Sequence, residues 1–261
     1  MRIALVTWSG LPDLAADDQL LRDELTRDGH DVVATVWDDA RVAWSSFDAI
    51  VIRSTWDYHK RIADFRAWLA SLNGAPLWNP RRVVDRNLHK AYLLDMPNTV
   101  PTQIVQPGDH VEVAERVVVK PTVSATAYRT EVVDEPFVAG FEALVQPFVE
   151  EITTKGEWSL IFFGKEFSHA VLKRPRAGDF RVQNDFGGSS VAMTPPPALI
   201  DDAHALLASI DAPLLYARVD GVERDGRLLL MELELTEPSL FLDRDPGAPR
   251  RFANAIAALK P

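Results

Sequence analysis

The chain has 261 residues, of which 47% are apolar and 25% charged, and its formal net charge is -10. This composition is that of a globular protein, and the acidic balance excludes a broad nucleic-acid surface, which would need clustered Lys and Arg. The absence of cysteine excludes disulfides, thiolate nucleophiles, zinc–thiolate sites and iron–sulfur clusters. Neither a signal-peptide core nor a long apolar run is visible, so we expect a cytoplasmic protein with no membrane partner.

Residues 1–79 have the pattern of a small open α/β sheet. Apolar runs at 2–8, 31–37 and 47–52 predict strands, and helically spaced leucines over 14–27 predict a helix closed by Gly29. A dinucleotide-binding fold would carry G-x-G-x-x-G after the first strand, but the sequence there is TWSGLP. NAD binding is therefore disfavoured. The turn-rich stretch at 73–80 marks a boundary.

A polar and aromatic cluster follows the strand at 47–52 and precedes a helix predicted over 61–72. It reads Arg53-Ser54-Thr55-Trp56-Asp57-Tyr58. Because ligands of open α/β sheets bind beyond the carboxyl ends of the strands, this cluster lies where a substrate would bind. A helix cap with two aromatic rings packed on the core explains it equally well, although Arg53 at the strand end fits that explanation less easily.

Two lysines stand out in the middle of the chain. Lys90 lies on a helix predicted over 81–95 and is uninformative alone. Lys120 ends the β-branched run 117–119, where an ammonium group is costly unless an anion meets it or the side chain snorkels to water. The loop at 122–128 is rich in small and hydroxyl residues and could fold over phosphates. A strand at 130–133 and helix-like residues near 136–142 follow.

From residue 143 onwards the sequence predicts two hairpins and two helices. Residues 143–149 lead to the first hairpin, 158–163 and 166–172, around Gly164-Lys165. The segment 174–190 is polar, basic and glycine-containing, which suits a loop lining a site, and Arg181 in it is a suitable phosphate partner. Helices are predicted over 198–210 and 249–259.

A hairpin over 216–242 carries the clearest chemical signal. Glu232 and Glu234 point to one face of its second arm, and Met231, Leu233 and Leu235 to the other. Like charges this close favour a cation between them, and Mg²⁺ prefers carboxylate oxygens. Asp220 joins this face if the turn has an odd number of residues, whereas a two-residue Asp225-Gly226 turn points it away. An edge strand with two solvated glutamates is the alternative.

Taken in chain order, these signals resemble the ATP-grasp superfamily, in particular glutathione synthetase and the ribosomal-protein glutamate ligases. The order is helix lysine, strand-end lysine with its loop, Gln-Pro-Phe-Val at 146–149, Glu157 before Trp-Ser, an Arg-x-Gln loop at 181–183, and the carboxylate hairpin. The match covers about residues 80–245. It implies α/β and α+β architecture, with an N-terminal open sheet (1–79) followed by two α+β lobes (80–145 and 146–261) that clasp ATP.

The resemblance also implies roles for individual residues. Arg181 and Lys120 would be catalytic. ATP would be held by Lys90, Lys120, Ser124, Gln146, Pro147, Phe148, Glu157 and Gln183. Two Mg²⁺ ions would be held by Asp220, Glu232 and Glu234. The substrate would contact Arg53, Ser54, Trp56, Asp57, Tyr58 and Arg218, of which the two arginines are the candidates for its carboxylate.

A narrower resemblance is to the O-ureido-serine cyclo-ligases of cycloserine biosynthesis and their unassigned relatives. It is carried by residues 53–58, 157–160, 167–171, 179–183 and 232–234. Two departures from the wider superfamily stand out. Glu234 occupies a place that usually holds Asn, which bears on the number of metal ions, and the loop after Lys120 has serine and alanine where relatives have glycines, which bears on its closure.

The resemblance implies an ATP-dependent carboxylate–amine ligase that acts through an acyl phosphate on a small amino-acid-like substrate, with ring closure of the cycloserine-synthetase type as one outcome. An intermolecular peptide ligase resembling glutathione synthetase is one alternative, and a non-catalytic ATP-binding protein on the same fold is another. An acidic structural protein is disfavoured by the joint presence of two lysines and three carboxylates. The residues name neither the carboxylate nor the amine, and they leave homo-oligomerisation open.

Overall fold

The computed structural model describes residues 1–176, 178–182 and 187–259. In these residues the strands are β1 (Arg2–Thr7), β2 (Asp31–Val36), β3 (Ala49–Ser54), β4 (Leu77–Trp78), β5 (Gln103–Val105), β6 (His110–Val111), β7 (Val117–Pro121), β8 (Glu131–Val133), β9 (Phe137–Val138), β10 (Ala143–Pro147), β11 (Glu157–Phe163), β12 (Glu166–Arg174), β13 (Ser189–Ala192), β14 (Tyr216–Arg224) and β15 (Arg227–Glu234). The α-helices are α1 (Ala16–Arg27), α2 (Ile62–Ser71), α3 (Arg81–Asn87), α4 (Glu151–Thr154), α5 (Pro197–Ala208) and α6 (Ala248–Ala257). None of these helices has both the length and the apolar character needed to cross a bilayer. The mixed α/β architecture expected from the sequence is confirmed.

The first sheet has the strand order β2-β1-β3-β4, with every pair parallel. Both of its faces are covered, as parallel sheets require. Ile3 and Leu5 share a core with α1 and α6, whereas the alternating residues Ala4 and Val6 share another core with α2. The period of two along β1 thus divides one apolar run between two layers of helices.

The middle sheet is antiparallel, in the order β5-β10-β7-β8, and has a small core of its own. The ribbon β6-β9 packs beside it. The helix expected near 136–142 is wrong, because Phe137 and Val138 form β9 and pair with His110 and Val111. Local sequence cannot show such a partner, since it lies more than twenty residues upstream in the chain.

The third sheet is antiparallel, in the order β13-β12-β11-β14-β15, with α5 packed against it. The single helix expected over 81–95 is divided: α3 ends at Asn87, and a 3-10 helix runs over Lys90–Asp95. The break comes at His89, whose backbone is extended, and the amide of Lys90 donates instead to the carbonyl of Thr122. This break is what places Lys90 beside the middle sheet.

The first and third sheets are joined through side chains. Asn79, just after β4, donates through Nδ2 to the carbonyls of Tyr216 and Leu235, both at 2.9 Å. Its Oδ1 accepts from the amide of Leu215 at 2.6 Å. One apolar cluster also contains residues of β1 and β3 together with Phe163 of β11. The first and third sheets therefore share a core, whereas the middle sheet packs on the core of the third sheet through Leu144.

Candidate active site

A cavity of about 390 Å³ opens where the three sheets meet. Trp56 and Tyr58 line it from the first part of the chain, Lys120 from the middle sheet, and Asp220 and Glu232 from the hairpin β14–β15. Its volume is in the range of cavities that bind small molecules. Polar side chains from distant parts of the chain converge on it, so it is the candidate active site.

The hairpin brings Asp220 to the same face as Glu232 by a route the sequence did not reveal. Its turn has two residues, Asp225 and Gly226, with φ of 52° and 75°. Such a turn alone would point Asp220 to the other face. The register, however, shifts between Asp220, which pairs with Glu232, and Gly221, which pairs with Leu230. One extra residue in β15 therefore forms a β-bulge, and the bulge restores the shared face.

The bulge also changes the surroundings of Met231. The sequence places Met231 on the apolar face with Leu233 and Leu235, but as the extra residue it lines the cavity and packs against a separate cluster that includes Val149. Leu233 and Leu235 remain in the main core. A Cβ at Gly221 would lie 2.4 Å from the carbonyl oxygen of Leu229. Glycine is therefore required for the close approach that the bulge imposes.

Two lysines share one carboxylate at the edge of the cavity. Nζ of Lys90 lies 2.5 Å from Oε1 of Glu232 and donates to the carbonyl of Ser124 at 3.1 Å. Nζ of Lys120 lies 3.8 Å from Oε2 of Glu232. Burial acts to lower the pKa of Lys90, but Glu232 outweighs it and the pKa is raised. Burial dominates at Lys120, whose pKa is lowered. Burial opposes ionisation of Glu232, yet the two lysines hold its pKa below the usual value.

A second group of charges lies deeper in the cavity, around Asp220. Arg218 donates to Asp220 at 2.9 Å, Ser159 donates to it as well, and Nζ of Lys173 lies 3.6 Å from it and 2.6 Å from Glu157. Burial acts to raise the pKa of Asp220, and Arg218 and then Lys173 reverse this, so the pKa is lowered. Asp220 is therefore held ionised by its neighbouring cations, whereas burial raises the pKa of Glu157.

Glu234 and Glu237 are the least compensated acids of the cavity. Glu234 contacts Arg218 at 2.5 Å. Burial, against the attraction of Arg218, raises its pKa to about 7, and Glu232 adds to the rise. Burial raises the pKa of Glu237 to about 8, with the charge of Glu234 as the next cause. An added positive charge near these two groups would be strongly favoured.

The loop after Lys120 lies over the cavity. Thr126 and Ala127 line it, and their φ angles of 53° and 55° are left-handed, as is that of Arg129 at 53°. Residues with a Cβ adopt this region at a cost of about 1–2 kcal/mol each. The loop therefore follows a path that glycine would adopt freely, at some cost in strain.

Most of the predicted site residues lie on this cavity. It is lined by Trp56, Tyr58, Lys90, Lys120, Ser124, Gln146, Pro147, Glu157, Arg181, Arg218, Asp220, Glu232 and Glu234. Arg181 donates to Asp179 at 2.8 Å. Nε2 of Gln146 donates to Thr102 at 2.9 Å. Phe148 packs on the guanidinium of Arg116 and on Phe180, which itself lines the cavity. Gln183 lies outside the described residues.

Three predicted substrate residues are not brought to the cavity, which corrects the expectation from sequence. Arg53 is fully buried, and it donates to Asp18 at 2.8 Å and to the carbonyl of Pro238 at 2.7 Å. Ser54 donates to Thr7. Asp57 accepts from Trp37 and lines an adjoining cavity, which shares Trp56 and Arg181 with the candidate active site. Arg53 therefore positions the chain near Pro238, since its guanidinium is used by groups of the protein itself.

Two charged residues that line the cavity were not predicted from the sequence. Lys173 ends a buried run of β12, as Lys120 ends its own run, so the same argument applied to residues 170–173 finds it. Glu237 follows β15 by three residues and carries no local signal. Its burial depends on contacts with the first sheet, which the sequence of the hairpin does not show.

Three carboxylates of the cavity have the donor chemistry of a Mg²⁺ site. Asp220, Glu232 and Glu234 present hard oxygen donors on one face of the hairpin, the chemistry that Mg²⁺ prefers. Among the described residues, no group of three or more Asp, Glu, His or Cys side chains is close enough together, as it stands, to hold a metal ion. Each of the three carboxylates is turned to a cation of the protein instead, namely Lys90 or Arg218. The donor chemistry fits the ion, and these contacts would be exchanged on binding.

Comparison with known proteins gives concordant results. A family model described as the N-terminal domain of D-cycloserine synthetase DcsG matches residues 3–79. The cycloserine biosynthesis protein DcsG of Streptomyces lavendulae is 31% identical over an alignment of 265 positions, and the alignment covers 86% of this chain and 88% of that protein. The crystal structure of D-cycloserine synthetase DcsG has a TM-score of 0.84 at 28% identity, covering 98% of this chain and 99% of that one.

More distant structures share the fold. D-alanine–D-alanine ligase from Bacillus anthracis, complexed with ATP, has a TM-score of 0.64 at 16% identity, with 98% of this chain and 95% of that one covered. The ATP-grasp ligase PsnB, complexed with a precursor variant, Mg and ADP, has a TM-score of 0.59 at 16% identity, with 99% and 98% covered. The resemblance stated from sequence is confirmed, and the chain belongs to the DcsG family of ATP-grasp ligases, enzymes that form carbon–nitrogen bonds.

Proposed function

We propose that this ATP-dependent ligase joins a carboxylate to an amine by way of an acyl phosphate, on a small substrate that carries the groups of an amino acid. The observation that carries the proposal is the meeting of Lys90 and Lys120 with Glu232 in one cavity. Two ammonium groups held beside a carboxylate face are suited to a polyphosphate chain with its metal ion. The solved relatives with ATP, or with Mg and ADP, support the same ligands.

We propose ATP contacts for the residues that line the cavity. Lys90, Lys120 and Ser124 would hold phosphates, Gln146 and Pro147 the adenine with Phe148 behind them, and Glu157 the ribose. Gln183 belongs to the same proposal from the sequence alone. The three-part division at 79 and 145 is likewise proposed. The presence of three sheets supports it, although β10 (Ala143–Pro147) of the middle sheet continues past the second boundary.

Asp220, Glu232 and Glu234 would hold Mg²⁺, with two ions proposed. When bound, the metal would neutralise charge on the phosphates during transfer. Arg218 takes the role of carboxylate ligand alone, because Arg53 is buried away from the cavity. Trp56 and Tyr58 form the neighbouring aromatic wall.

The proposed chemistry has two steps. A carboxylate oxygen of the substrate attacks the γ-phosphorus, the bond to the β-phosphate oxygen breaks, and ADP leaves. Lys120 and Arg181 would stabilise the charge that spreads over the transferring group. A nitrogen then attacks the acyl carbon, phosphate leaves, and the nitrogen loses a proton. Because water would hydrolyse the acyl phosphate, the loop at 122–128 would exclude it as a lid.

Ring closure within one molecule is the favoured outcome, because the relative at 31% identity is a cycloserine biosynthesis protein. We would incubate the protein with ATP, Mg²⁺ and each enantiomer of O-ureidoserine, and measure both ADP and cyclised product. Intermolecular ligation would instead require two amino acids, for which D-alanine serves as the probe. Release of ADP only with a second amino acid would overturn ring closure.

Variants link the activity to the cavity. We expect Lys120→Ala and Glu232→Ala each to abolish ADP release while the circular dichroism spectrum stays that of the wild type. The matched controls are Lys155→Ala and Glu223→Ala, a surface ion pair outside the cavity. Full turnover by both cavity variants would remove the proposal.

A further inference from the structure

Glu237 lies in a segment whose backbone carbonyls are held by side chains of β3, of the loop after β3 and of β14. The indole Nε1 of Trp56 donates to the carbonyl of Glu237 at 3.1 Å, and Arg53 donates to the next carbonyl, that of Pro238, at 2.7 Å. Tyr216 donates to the carbonyl of Thr236 at 2.7 Å. Three consecutive carbonyls are thus held, so the position of the Glu237 side chain is set by the scaffold.

The side chain of Glu237 lines the cavity, and the residue is only 8% exposed. The other acids of the cavity each have a cationic partner: Glu157 has Lys173, Asp220 and Glu234 have Arg218, and Glu232 has Lys90. Within the described ranges, the carboxylate of Glu237 makes no hydrogen bond and no ion pair. It is a buried acid whose partner is not supplied by the described protein.

Burial without a partner is costly for a carboxylate. Burial and the charge of Glu234 raise the pKa of Glu237 to about 8. Beside it, Tyr58 and Trp56 also line the cavity, and the charge of Glu237 is the largest electrostatic influence on the buried Tyr58 hydroxyl. A carboxylate next to two aromatic rings can bind an organic cation, because the rings and the carboxylate both attract positive charge.

We propose that Glu237 binds the ammonium group of the amino-acid-like substrate, with Trp56 and Tyr58 as the wall beside it. This inference rests on the proposed function and deepens it, because it fixes which end of the substrate lies where. With Glu237 paired to the ammonium group, the reacting carboxylate lies at another part of the cavity. It is directed to the side of Lys120 and Arg218, which both line the same cavity.

The test compares Glu237→Gln with Glu166→Gln, an exposed glutamate of the hairpin β11–β12. We would measure KM and kcat for O-ureidoserine and, by calorimetry with a non-hydrolysable ATP analogue, the affinity for O-ureidoserine and for its N-acetyl derivative. Glutamine keeps the shape of the side chain and removes its charge. We expect the KM for O-ureidoserine to rise at least tenfold in Glu237→Gln, while the KM for ATP changes less than twofold.

The discrimination between the two ligands is the sharper readout. Wild type and Glu166→Gln should bind O-ureidoserine at least tenfold more tightly than the N-acetyl compound, and Glu237→Gln should lose this preference. Glu237→Asp, which keeps the charge, should retain part of it. An unchanged preference in Glu237→Gln would overturn the inference, since a merely structural role would weaken both ligands alike.

Failure of the two proposals can be told apart. If the wild type releases ADP but its KM does not depend on Glu237, only the ammonium site is wrong. If the wild type releases no ADP with any probe, the proposed function is wrong. The calorimetric comparison of O-ureidoserine with its N-acetyl derivative then still decides the role of Glu237, because it requires no turnover.

Discussion

Lys90 and Glu232 are separated by 142 residues in the chain, yet the ammonium nitrogen and a carboxylate oxygen lie 2.5 Å apart. The other oxygen of the same carboxylate lies 3.8 Å from Lys120. In this structure Glu232 is thus the counter-ion of both lysines. When a polyphosphate and Mg²⁺ bind, the attraction between the lysines and Glu232 would be replaced by two others: the lysines would contact phosphate, and Glu232 would contact the metal ion.

Ligand linkage should show this exchange. With ATP and Mg²⁺ at about one hundred times Kd, we expect a gain in stability of about 2.7 kcal/mol, seen as a rise in melting temperature. The rise should vanish with EDTA, because the carboxylate face then repels the phosphates. Lys120→Met should lose most of it and Lys155→Met none. A full shift without divalent ion would contradict the role of the carboxylates.

Gly221→Ala tests the bulge. The new methyl would meet the carbonyl oxygen of Leu229 at 2.4 Å and a side-chain carbon of Leu228 at 2.9 Å. We expect a loss of about 1–3 kcal/mol in the free energy of unfolding by urea. Activity should fall further than stability explains, since Asp220 depends on the bulge for its face. Gly140→Ala is the control, because nothing lies within 4 Å of its added carbon. Wild-type activity in Gly221→Ala would show that the register tolerates the change.

Asp18→Asn tests the buried pair with Arg53. Both side chains are almost completely inaccessible to solvent, at 1% and 0% exposure. Removing one charge leaves the other buried and unpaired, so we expect a loss of about 3–5 kcal/mol in the free energy of unfolding. Asp23→Asn, at an exposed site on the same helix, should cost little. If Asp18→Asn has normal stability but a raised KM for O-ureidoserine, Arg53 would instead be assigned to substrate binding.

The pH dependence of stability tests Glu237. Its pKa rises from an ordinary 4.5 to about 8 on folding, so between these values the folded state keeps a proton that the unfolded state has lost. Stability without ligand is therefore highest below about pH 4.5 for this group and falls as pH rises to 8, by up to about 1.4 kcal/mol per pH unit. The charged or titratable groups that act on it are Glu234, Lys90, Glu232 and Arg218, with Tyr58 beside it.

Urea unfolding at pH 5, 6, 7 and 8 with EDTA would measure this slope. Glu237→Gln should reduce the slope, most clearly between pH 7 and 8, because Glu234, whose pKa is raised to about 7, still contributes at lower pH. Glu166→Gln should leave the slope as in the wild type. Groups with a lowered pKa act elsewhere: hydrogen bonds from Gln106, His89 and Thr122 hold the pKa of Glu142 at about 2. The contribution of Glu142 to stability is lost only in strong acid, below the pH range of 5 to 8 used in this experiment. Equal slopes in all three proteins would contradict the burial of an unpaired carboxylate.

Local patterns predicted much of the fold because apolar strands of period two and terminal turns are local features. The hairpin at Gly164 and Lys165 is confirmed with the turn in the expected place, both residues having positive φ. The cavity residues Lys120 and Glu232 were found for the same reason: each is a charge on a run that must be buried.

What the sequence did not reveal depends on distant partners. Arg53 was expected to bind substrate because its partner Asp18, 35 residues earlier, could not be recognised. The face of Asp220 was left open between two turns, and the bulge that decides it is set by packing at Gly221. Glu237 was missed because its burial is imposed by the first sheet.

The clamp formed by Asn79 has a consequence for motion. Its side chain ties the end of the first sheet to the neighbours Leu215 and Tyr216 and to Leu235, at both arms of the carboxylate hairpin. The first and third sheets should then move together as one rigid body, and the middle sheet, which carries Lys120, should move to open the cavity to the nucleotide. A cross-link between the first and third sheets should leave turnover unaffected, whereas a cross-link between the middle and third sheets should stop it.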